Sequence, residues 1–436
     1  MNHRLTSCSL ILSIFAFDFQ SEPPAATSSW KQQGPAIVGD AADDNLGLSV
    51  ALSAYARTLV VGAPGDGESG SGKTGYVKVY RFWADEDGWK LTQLGQTIFG
   101  NATGDRFGYS ADISTGKVIV LGSPGSWEFN DRPGYVQVFY LDSDDAAGTT
   151  GTWKQVGQDI TGEAIGDEFG WSVSISDDGK TIAVGADMNN GKNGEDSGHF
   201  RIYRLAEDGA SWEQIGKDID GDAAGDWSGT SVSLSANGSI AAIGAPQAGI
   251  DGVWTGQVKV YRIDSGVSSW EQLGESIYGD NANDRFGWSV KISPDGKSLA
   301  VGSPGYMADA DRPGCVKVFS LENGGDDLSA NSWKQVGHTI TGEANGDVFG
   351  YSVSLSDDAK TFAVGAPYAN GKNGDDTGRV RIYRTDDYES GWTQIGEDID
   401  GEAAYETSGV SISLSAVRRW LSALIGMMTT ALPLVT

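Results

Sequence analysis

Pairs of polar side chains that could bind a cation, or act as an acid and a base, recur seven times at a spacing of four residues. The pairs are Asp40 and Asp44, Asn101 and Asp105, Glu163 and Asp167, Asp222 and Asp226, Asp280 and Asp284, Glu343 and Asp347, and Glu402 and Glu406. Like charges at this spacing repel one another, which favours a bound cation or a basic partner. The carboxylates of the first six pairs are therefore candidate ligand- or cation-binding residues. The alternative is that the last carboxylate of each pair accepts backbone N–H groups of its own turn while the first faces water.

Two loops with the sequences NGKNGEDSG and NGKNGDDTG are rich in oxygen-bearing side chains and form a second candidate cation site. The candidate metal ligands are Asp187, Asn189, Asn193 and Asp196 in the first loop, and Asn370, Asn373, Asp375 and Asp376 in the second. Ca²⁺ takes six to eight oxygen ligands in proteins. Since the spacing of these residues is irregular, a solvated Asn-Gly loop is the plainer interpretation.

Catalytic motifs are absent from the sequence. The histidines are His3, His199 and His338, and no nucleophile elbow, zinc-protease motif or phosphate loop accompanies them. Paired carboxylates can hydrolyse glycosides, but catalytic groups belong to one site, whereas these pairs recur in every repeat. The sequence therefore predicts that the protein is not an enzyme. The alternative is a glycosidase-like, carbohydrate-active enzyme, which a non-repeating cluster of acid, base and aromatic residues in a central channel would favour.

The elements that hold these residues are short strands in a repeat. The pattern Trp-x-x-x-x-Gly recurs every 58 to 64 residues and begins at Trp30, Trp89, Trp153, Trp212, Trp270, Trp333 and Trp392. Each unit also contains the alternating segments FGxSVxIS, xxAVGAP and GxVxVY, with Gly and Asp between them. Period-two alternation predicts strands. We name these segments A, B and C, and the Trp segment D. The regular tryptophans are best explained by packing between units.

Repeated four-stranded units without helices predict an all-β fold, a seven-bladed β-propeller of antiparallel blades over residues 30–416. In this fold the Trp30 strand completes an incomplete last blade, whose A strand is 409–415. A six-bladed ring with overhanging ends is the alternative. A second period of about 180 residues, visible in NDRPGYVQVF and ADRPGCVKVF, indicates that a block of three blades was duplicated. The D–A and B–C loops then share one face.

The segments FGYS, FGWS, FGWS and FGYS at 107, 169, 286 and 349 are each followed by a turn such as LGSP or VGAP. They resemble the FG-GAP repeats of integrin alpha-subunit propellers. The resemblance implies a non-enzymatic adhesion or binding propeller that presents loops to a protein or glycan ligand. The A–B turns here, such as SDDGK, are too short for the calcium loop of that family, so no cofactor is certain and Ca²⁺ at that position is doubtful.

The charge of the chain restricts its partners. Its 436 residues include 31 Lys and Arg against 59 Asp and Glu, a formal net charge of −28. This field repels the phosphates of nucleic acids and anionic membranes. The expected partner is a protein or glycan, for which Trp127, Trp227 and Trp254 are candidate contacts because they lie outside the regular tryptophan positions.

The two ends of the chain depart from the repeat. Residues 1–29 contain a mildly basic start and an apolar stretch, Leu10 to Phe17, of the length found in signal peptides rather than membrane spans. We therefore expect a secreted or cell-surface protein, with glycosylation sequons at Asn101 and Asn237. Residues 417–436 contain no Asp or Glu, which is typical of a frameshifted seventh repeat or of a removed lipid-anchor signal.

Overall fold

The structure is a computed structural model. It describes residues 11–18, 30–32, 34–41, 43–54, 57–65, 73–85, 88–125, 132–143, 150–250, 253–263, 269–305, 312–322, 331–417 and 420–426. The described residues form strands and turns and contain no helix, and a search of them finds no helix able to cross a membrane. The chain is an all-β propeller, as the repeats predict.

Six blades are each built from one continuous repeat. Every blade has strands in the order A, B, C and D, and a short fifth strand also pairs with C. Blade one contains β4 (Ser49–Leu52), β5 (Thr58–Ala63), β6 (Tyr76–Asp85), β7 (Gly88–Gln93) and β8 (Ile98–Phe99). Blade two contains β9 (Ser110–Ile113), β10 (Val118–Ser123), β11 (Tyr135–Ser143), β12 (Gly151–Gln155) and β13 (Ile160–Thr161). Blade three contains β14 (Ser172–Ile175), β15 (Thr181–Ala186), β16 (His199–Leu205), β17 (Trp212–Gln214) and β18 (Ile219–Asp220).

The second half repeats this plan. Blade four contains β19 (Ser231–Leu234), β20 (Ile240–Ala245), β23 (Gln257–Arg262), β24 (Glu271–Gln272) and β25 (Ile277–Tyr278), with a small hairpin of β21 (Gly249–Ile250) and β22 (Val253–Trp254). Blade five contains β26 (Ser289–Ile292), β27 (Ser298–Ser303), β28 (Cys315–Glu322), β29 (Ser332–Gln335) and β30 (Ile340–Thr341). Blade six contains β31 (Ser352–Leu355), β32 (Thr361–Ala366), β33 (Arg379–Arg384), β34 (Thr393–Gln394) and β35 (Ile399–Asp400).

The two ends of the chain together form a composite sheet. It contains β36 (Ser411–Val417), β37 (Trp420–Gly426), β1 (Ile11–Asp18), β2 (Lys31–Gln32) and β3 (Ile37–Val38), in the order β36-β37-β1-β2 with β3 also paired to β1. The prediction of seven blades is wrong, because the described residues form six blades, each from one repeat. The Trp30 segment and the 409–415 segment do lie in the same sheet, as outer and inner strands.

The middle strands of the composite sheet come from segments to which the sequence assigned other roles. β1 lies within the predicted leader and pairs with β37 of the tail from Ser13–Ile425 to Asp18–Trp420. The predicted cleavage, anchor and frameshift concern residues 1–29 and 417–436, most of which lie outside the described residues. They remain predictions.

The inner strands close a ring. The neighbours of β36 are β31 and β4, and the Ser411 and Ser413 hydroxyls accept the backbone N–H groups of Val50 and Leu52 at 3.1 and 3.0 Å. The second strand of most blades is buried on both faces, as in Thr181–Ala186, because each blade packs between two others. This explains the unbroken apolar run of segment B.

The Trp-x-x-x-x-Gly pattern forms the outer seam between blades. The Trp212 indole packs on Gly157, where a Cβ would lie 2.8 Å from the ring, and its Nε1–H donates to the Val156 carbonyl at 3.0 Å. Trp153, Trp333 and Trp392 donate in the same way to the preceding blade. The predicted packing role of these tryptophans is confirmed.

Candidate active site

The last carboxylate of each recurring pair closes its own turn. Asp44 accepts the backbone N–H of the residue three positions earlier at 2.7 Å, and the same bond recurs at Asp105, Asp167, Asp226, Asp284 and Asp347 at 2.7 to 3.1 Å. Glu406 does the same with two N–H groups. These carboxylates have a structural role in the D–A turns.

The first carboxylate of most pairs is neutralised by the chain itself. Basic side chains in the middle of strand C reach it, in the pairs Lys78–Asp40, Arg201–Glu163, Lys259–Asp222, Lys317–Asp280 and Arg381–Glu343. In blade two the amide Asn101 stands in place of the carboxylate, and the strand residue facing it is the uncharged Gln137 at 3.4 Å. The charge that would attract an external cation is therefore largely balanced within each blade.

The two Asn-Gly loops are attached to the next D–A turn. Asn193 donates to the Gly221 carbonyl and Asn373 to the Gly401 carbonyl, both at 2.6 Å. Asn189 is buried, and Asp187 is turned towards the central cluster described next. Among the described residues, the search for three neighbouring His, Cys, Asp or Glu ligands finds none in these loops. Calcium binding there stays a prediction.

A second set of polar residues lies at the top of the inner strands, directly before each FG or equivalent dipeptide. The position has a left-handed backbone in every repeat and is occupied by Asn45, Arg106, Glu168, Trp227, Arg285, Val348 and Thr407. The residue type changes from blade to blade, although its surroundings repeat. We call Arg106, Glu168, Asp187 and Arg285, with the aromatic rings beside them, the central cluster.

Two buried carboxyl groups meet in the central cluster. Burial raises the pKa of Glu168 to about 7, although the Arg106 guanidinium lowers it. Asp187 is 2 % exposed, and burial raises its pKa, with a further increase from the Glu168 charge. The Thr230 hydroxyl donates to Asp187 Oδ2 at 3.2 Å, while Asp187 Oδ1 and Glu168 Oε2 have no hydrogen-bond partner. A carboxyl group whose pKa burial raises towards neutrality suits acid–base chemistry.

Aromatic rings flank the two arginines of the central cluster. The Arg106 guanidinium lies 4.1 Å from the centre of the Tyr109 ring, and the Tyr109 and Trp171 rings are 4.6 Å apart. Arg285 lies over Trp227 and Trp288 at 5.7 and 5.2 Å. Residues of opposite blades converge here, since both arginines act on the pKa of Tyr351, which burial raises to about 12.

The carboxyl groups of the central cluster occur in one half of the ring only. At the corresponding position of the duplicated block, Val348 replaces Glu168 and Pro367 replaces Asp187. The arginine is kept, since Arg285 corresponds to Arg106. Within the cluster, the two carboxyl groups are therefore the part confined to one copy of the duplicated block, whereas an arginine and an aromatic ring occur in both copies.

Comparison with known proteins gives a repeat family. The FG-GAP repeat family matches residues 162–203 and 334–383. The chain contains FG-GAP repeats. No curated protein sequence is measurably similar to it.

Solved structures similar to this FG-GAP chain include two proteins named as lactonases. The periplasmic gluconolactonase of Pseudomonas aeruginosa has a TM-score of 0.55 and 16 % identity, covering 90 % of this chain and 97 % of that one. A putative 6-phosphogluconolactonase of Bacteroides fragilis has a TM-score of 0.53 and 15 % identity, covering 92 % and 98 %. At this identity the likeness establishes a shared fold.

These neighbours and the central cluster contradict two predictions made from the sequence. A non-enzymatic adhesion or binding propeller is wrong, and so is the prediction that the protein is not an enzyme. The findings favour the alternative, an enzyme on a propeller scaffold. The repetition of the acidic pairs led to these predictions, because it drew attention away from the unrepeated carboxyl groups beside them.

Sequence analysis of the FG-GAP repeats singled out neither Glu168 nor Arg106 as a functional residue. Arg106 is 7 % exposed, and Asp105 pairs with Arg132. The available signal was variation at one fixed repeat position. Of the irregular tryptophans, Trp227 reaches the cluster, Trp254 is 60 % exposed on the β21–β22 hairpin, and Trp127 lies outside the described residues.

Proposed function

We propose that this propeller is a hydrolase that opens a carbohydrate lactone at the central cluster. The observation that carries the proposal is the pair Glu168 and Asp187, which is buried, has the pKa of both carboxyl groups raised by burial, and is present in one half of a duplicated ring. The names of the two structural neighbours, both lactonases, supply the substrate class.

Each group of the cluster has a role in this reaction. Glu168 as carboxylate takes a proton from water, whose oxygen attacks the lactone carbonyl carbon. The Arg106 guanidinium faces the negative charge that develops on the carbonyl oxygen. The bond from that carbon to the ring oxygen then breaks, and protonated Asp187 donates its proton to the ring oxygen. The product is a hydroxy acid.

The aromatic rings around the two arginines would bind the sugar ring. Trp171 and Tyr109 form one wall, and Trp288 and Tyr351 form the other. Large flat apolar surfaces with a few polar groups between them are typical of small-molecule sites. Arg285, which lies over Trp227 and Trp288, would bind and orient the substrate.

The test is an assay of the full chain with glucono-1,5-lactone, in which proton release is followed and the spontaneous rate is subtracted. We expect catalysed hydrolysis whose rate rises with pH through about 7, because Glu168 must be deprotonated to act as the base. Glu168→Gln should lower the rate about 10² to 10⁴-fold. The control Glu402→Gln changes an exposed member of the repeated pairs and should retain the rate. A wild-type chain with no activity on a panel of aldonic lactones would contradict the proposal.

A second candidate is glycoside hydrolysis, for which two carboxyl groups on either side of the scissile bond are the usual machinery. The Glu168 and Asp187 pair favours it as well. Nitrophenyl glycosides distinguish the two reactions, since a glycosidase releases nitrophenol from them and a lactonase does not.

We propose further that the composite sheet closes the ring between blade six and blade one. The hydrogen bonds of β36 to both neighbouring blades support this. A chain lacking residues 1–20 should then melt several degrees lower, and an unchanged melting temperature would contradict the proposal. Cleavage of a leader after Ala16 would remove most of β1. N-terminal sequencing of the mature protein therefore tests both the export of the chain and the presence of β1 in the composite sheet.

A further inference from the structure

His199 is a buried histidine outside the central cluster with one ring nitrogen that lacks a hydrogen-bond partner. It begins strand C of blade three, is 1 % exposed, and its Nε2 has no hydrogen-bond partner. A ring nitrogen of His199 and one carboxylate oxygen each from Glu163 and Asp218 lie within 4.8 Å of one another. Among the described residues, this is the group of three side chains whose types and distances suit a metal ion.

Blade six shows what the same place holds in the duplicated block. Arg379 stands where blade three has His199, and its guanidinium donates to Asp400 Oδ1 at 2.8 Å and Glu343 Oε2 at 3.0 Å. The arginine two positions later is present in both blades. Arg201 donates to Asp218 in blade three, as Arg381 donates to Asp398 in blade six. Blade six therefore places two guanidinium groups among its carboxylates, and blade three places one.

The charges around His199 leave room for another cation. Arg201, Asp218, Glu163 and Asp167 are the charged groups close enough to act on its pKa, which burial lowers. Imidazole ligates metals in its neutral form. A neutral ring cannot supply the positive charge that Arg379 brings to blade six.

We propose that blade three binds one Zn²⁺ ion through His199, Glu163 and Asp218, with water as the fourth ligand. Imidazole nitrogen and carboxylate oxygen are zinc ligands at about 2.0 to 2.2 Å, so ligand atoms of a tetrahedral site lie about 3.4 Å apart. The Glu163 side chain is 55 % exposed and can rotate to close the remaining distance. Arg201 does not block the site, because each carboxylate oxygen that accepts from it has a second lone pair.

The ion would connect three elements of blade three. Glu163 lies in the D–A turn that follows blade two, His199 begins β16, and Asp218 precedes β18. A metal bound to the folded chain stabilises it in proportion to ligand concentration and affinity. We therefore expect zinc to raise the melting temperature of the full chain.

The test is titration of the full chain with ZnCl₂ after dialysis against EDTA, followed by calorimetry and thermal melting. We expect one equivalent to bind and a rise in melting temperature. His199→Arg copies blade six and should fold without metal, yet lose the binding. Glu163→Gln, at an exposed residue, should weaken the affinity at least about tenfold, whereas the control His338→Ala should bind as the wild type does.

Cobalt provides a second readout that does not depend on stability. Co²⁺ in a tetrahedral site absorbs visible light strongly, and this absorption should appear with the wild-type chain and be lost in His199→Arg. Absence of zinc binding, or zinc binding that His199→Arg retains, would overturn the proposal. Neither outcome depends on lactone hydrolysis, because the site lies outside the central cluster.

Discussion

A comparison of blades two and three with blades five and six distinguishes the scaffold of this protein from its candidate site. The outer seam is the same in both regions, since Trp212 and Trp392 donate to the preceding blade at 3.0 and 3.2 Å. The inner seam is also the same, because Ser172 and Ser352 each donate to a glycine carbonyl of the next blade at 2.7 Å. The regions differ at one position of the duplicated block, where blade three has Glu168 and blade six has Val348. Packing was therefore kept in both copies, while the buried carboxyl groups Glu168 and Asp187 occur in one.

The largest expected effect tests whether the outer seam stabilises the two regions equally. Trp212→Ala and Trp392→Ala should each lower the free energy of unfolding by about 3 to 5 kcal/mol, because each substitution removes a large buried ring and leaves a cavity. Urea denaturation of the two variants measures it. Losses that differ by more than the usual error would show that the duplicated blocks are not equivalent scaffolds.

The second prediction uses the pH dependence of stability to test the difference between the regions, which is the buried carboxyl group of Glu168. Glu168 has a folded pKa of about 7, above its ordinary value of 4.5, so the folded chain binds the extra proton between these values. Stability should fall as pH rises through this window, by at most about 3 kcal/mol. Glu168→Gln should weaken this dependence, and Glu402→Gln should leave it unchanged. Denaturation at pH 5 and pH 8 measures it, and an equal dependence in Glu168→Gln would refute the buried carboxyl pair.

A smaller effect is expected at the inner seam. Ser172→Ala and Ser352→Ala each remove the donor to a carbonyl of the next blade and should cost about 1 to 2 kcal/mol. Thermal melting compares the two, with Ser390→Ala, an exposed serine in blade six, as the control. An effect in one variant alone would contradict the equivalence of the seams.

The smallest effect is expected at the ion pairs of the outer face. Glu163→Gln and Glu343→Gln should each change stability in EDTA by less than about 1 kcal/mol, because both side chains are more than half exposed. Glu343 should lose more, since it pairs with two arginines and Glu163 with one. Melting temperatures without and with zinc measure this, and a larger loss at Glu163 in EDTA would be inconsistent with that count.

Much of the scaffold could be predicted because its causes are local. Alternation marks the strands, glycine with positive φ marks the turns, and the Trp-x-x-x-x-Gly pattern places an indole against a glycine such as Gly157. The turn bonds of Asp44 and Asp105 follow from residues three positions away. The composite sheet was predicted in part, since its inner and outer strands follow the repeat and its middle strands do not.

The central cluster could not be predicted in the same way. Arg106, Glu168 and Arg285 look like surface residues of polar turns in the sequence, and the acidic pairs beside them attract more attention because they repeat. The basic partners of those pairs, such as Lys78 and Lys259, are in strand C, far along the chain from the carboxylates they neutralise. No local sequence pattern indicates that the charges of the acidic pairs are neutralised by these basic side chains.

The sequence by itself determined the strands, the turns and the seams of this protein, because each depends on residues within one repeat or at one repeat's distance. The tertiary structure alone decided which residues meet at the axis and how they titrate. Arg106 and Tyr351 become neighbours only when the ring closes, and Glu168 keeps its proton near neutral pH only because the surrounding blades exclude water from its carboxyl group.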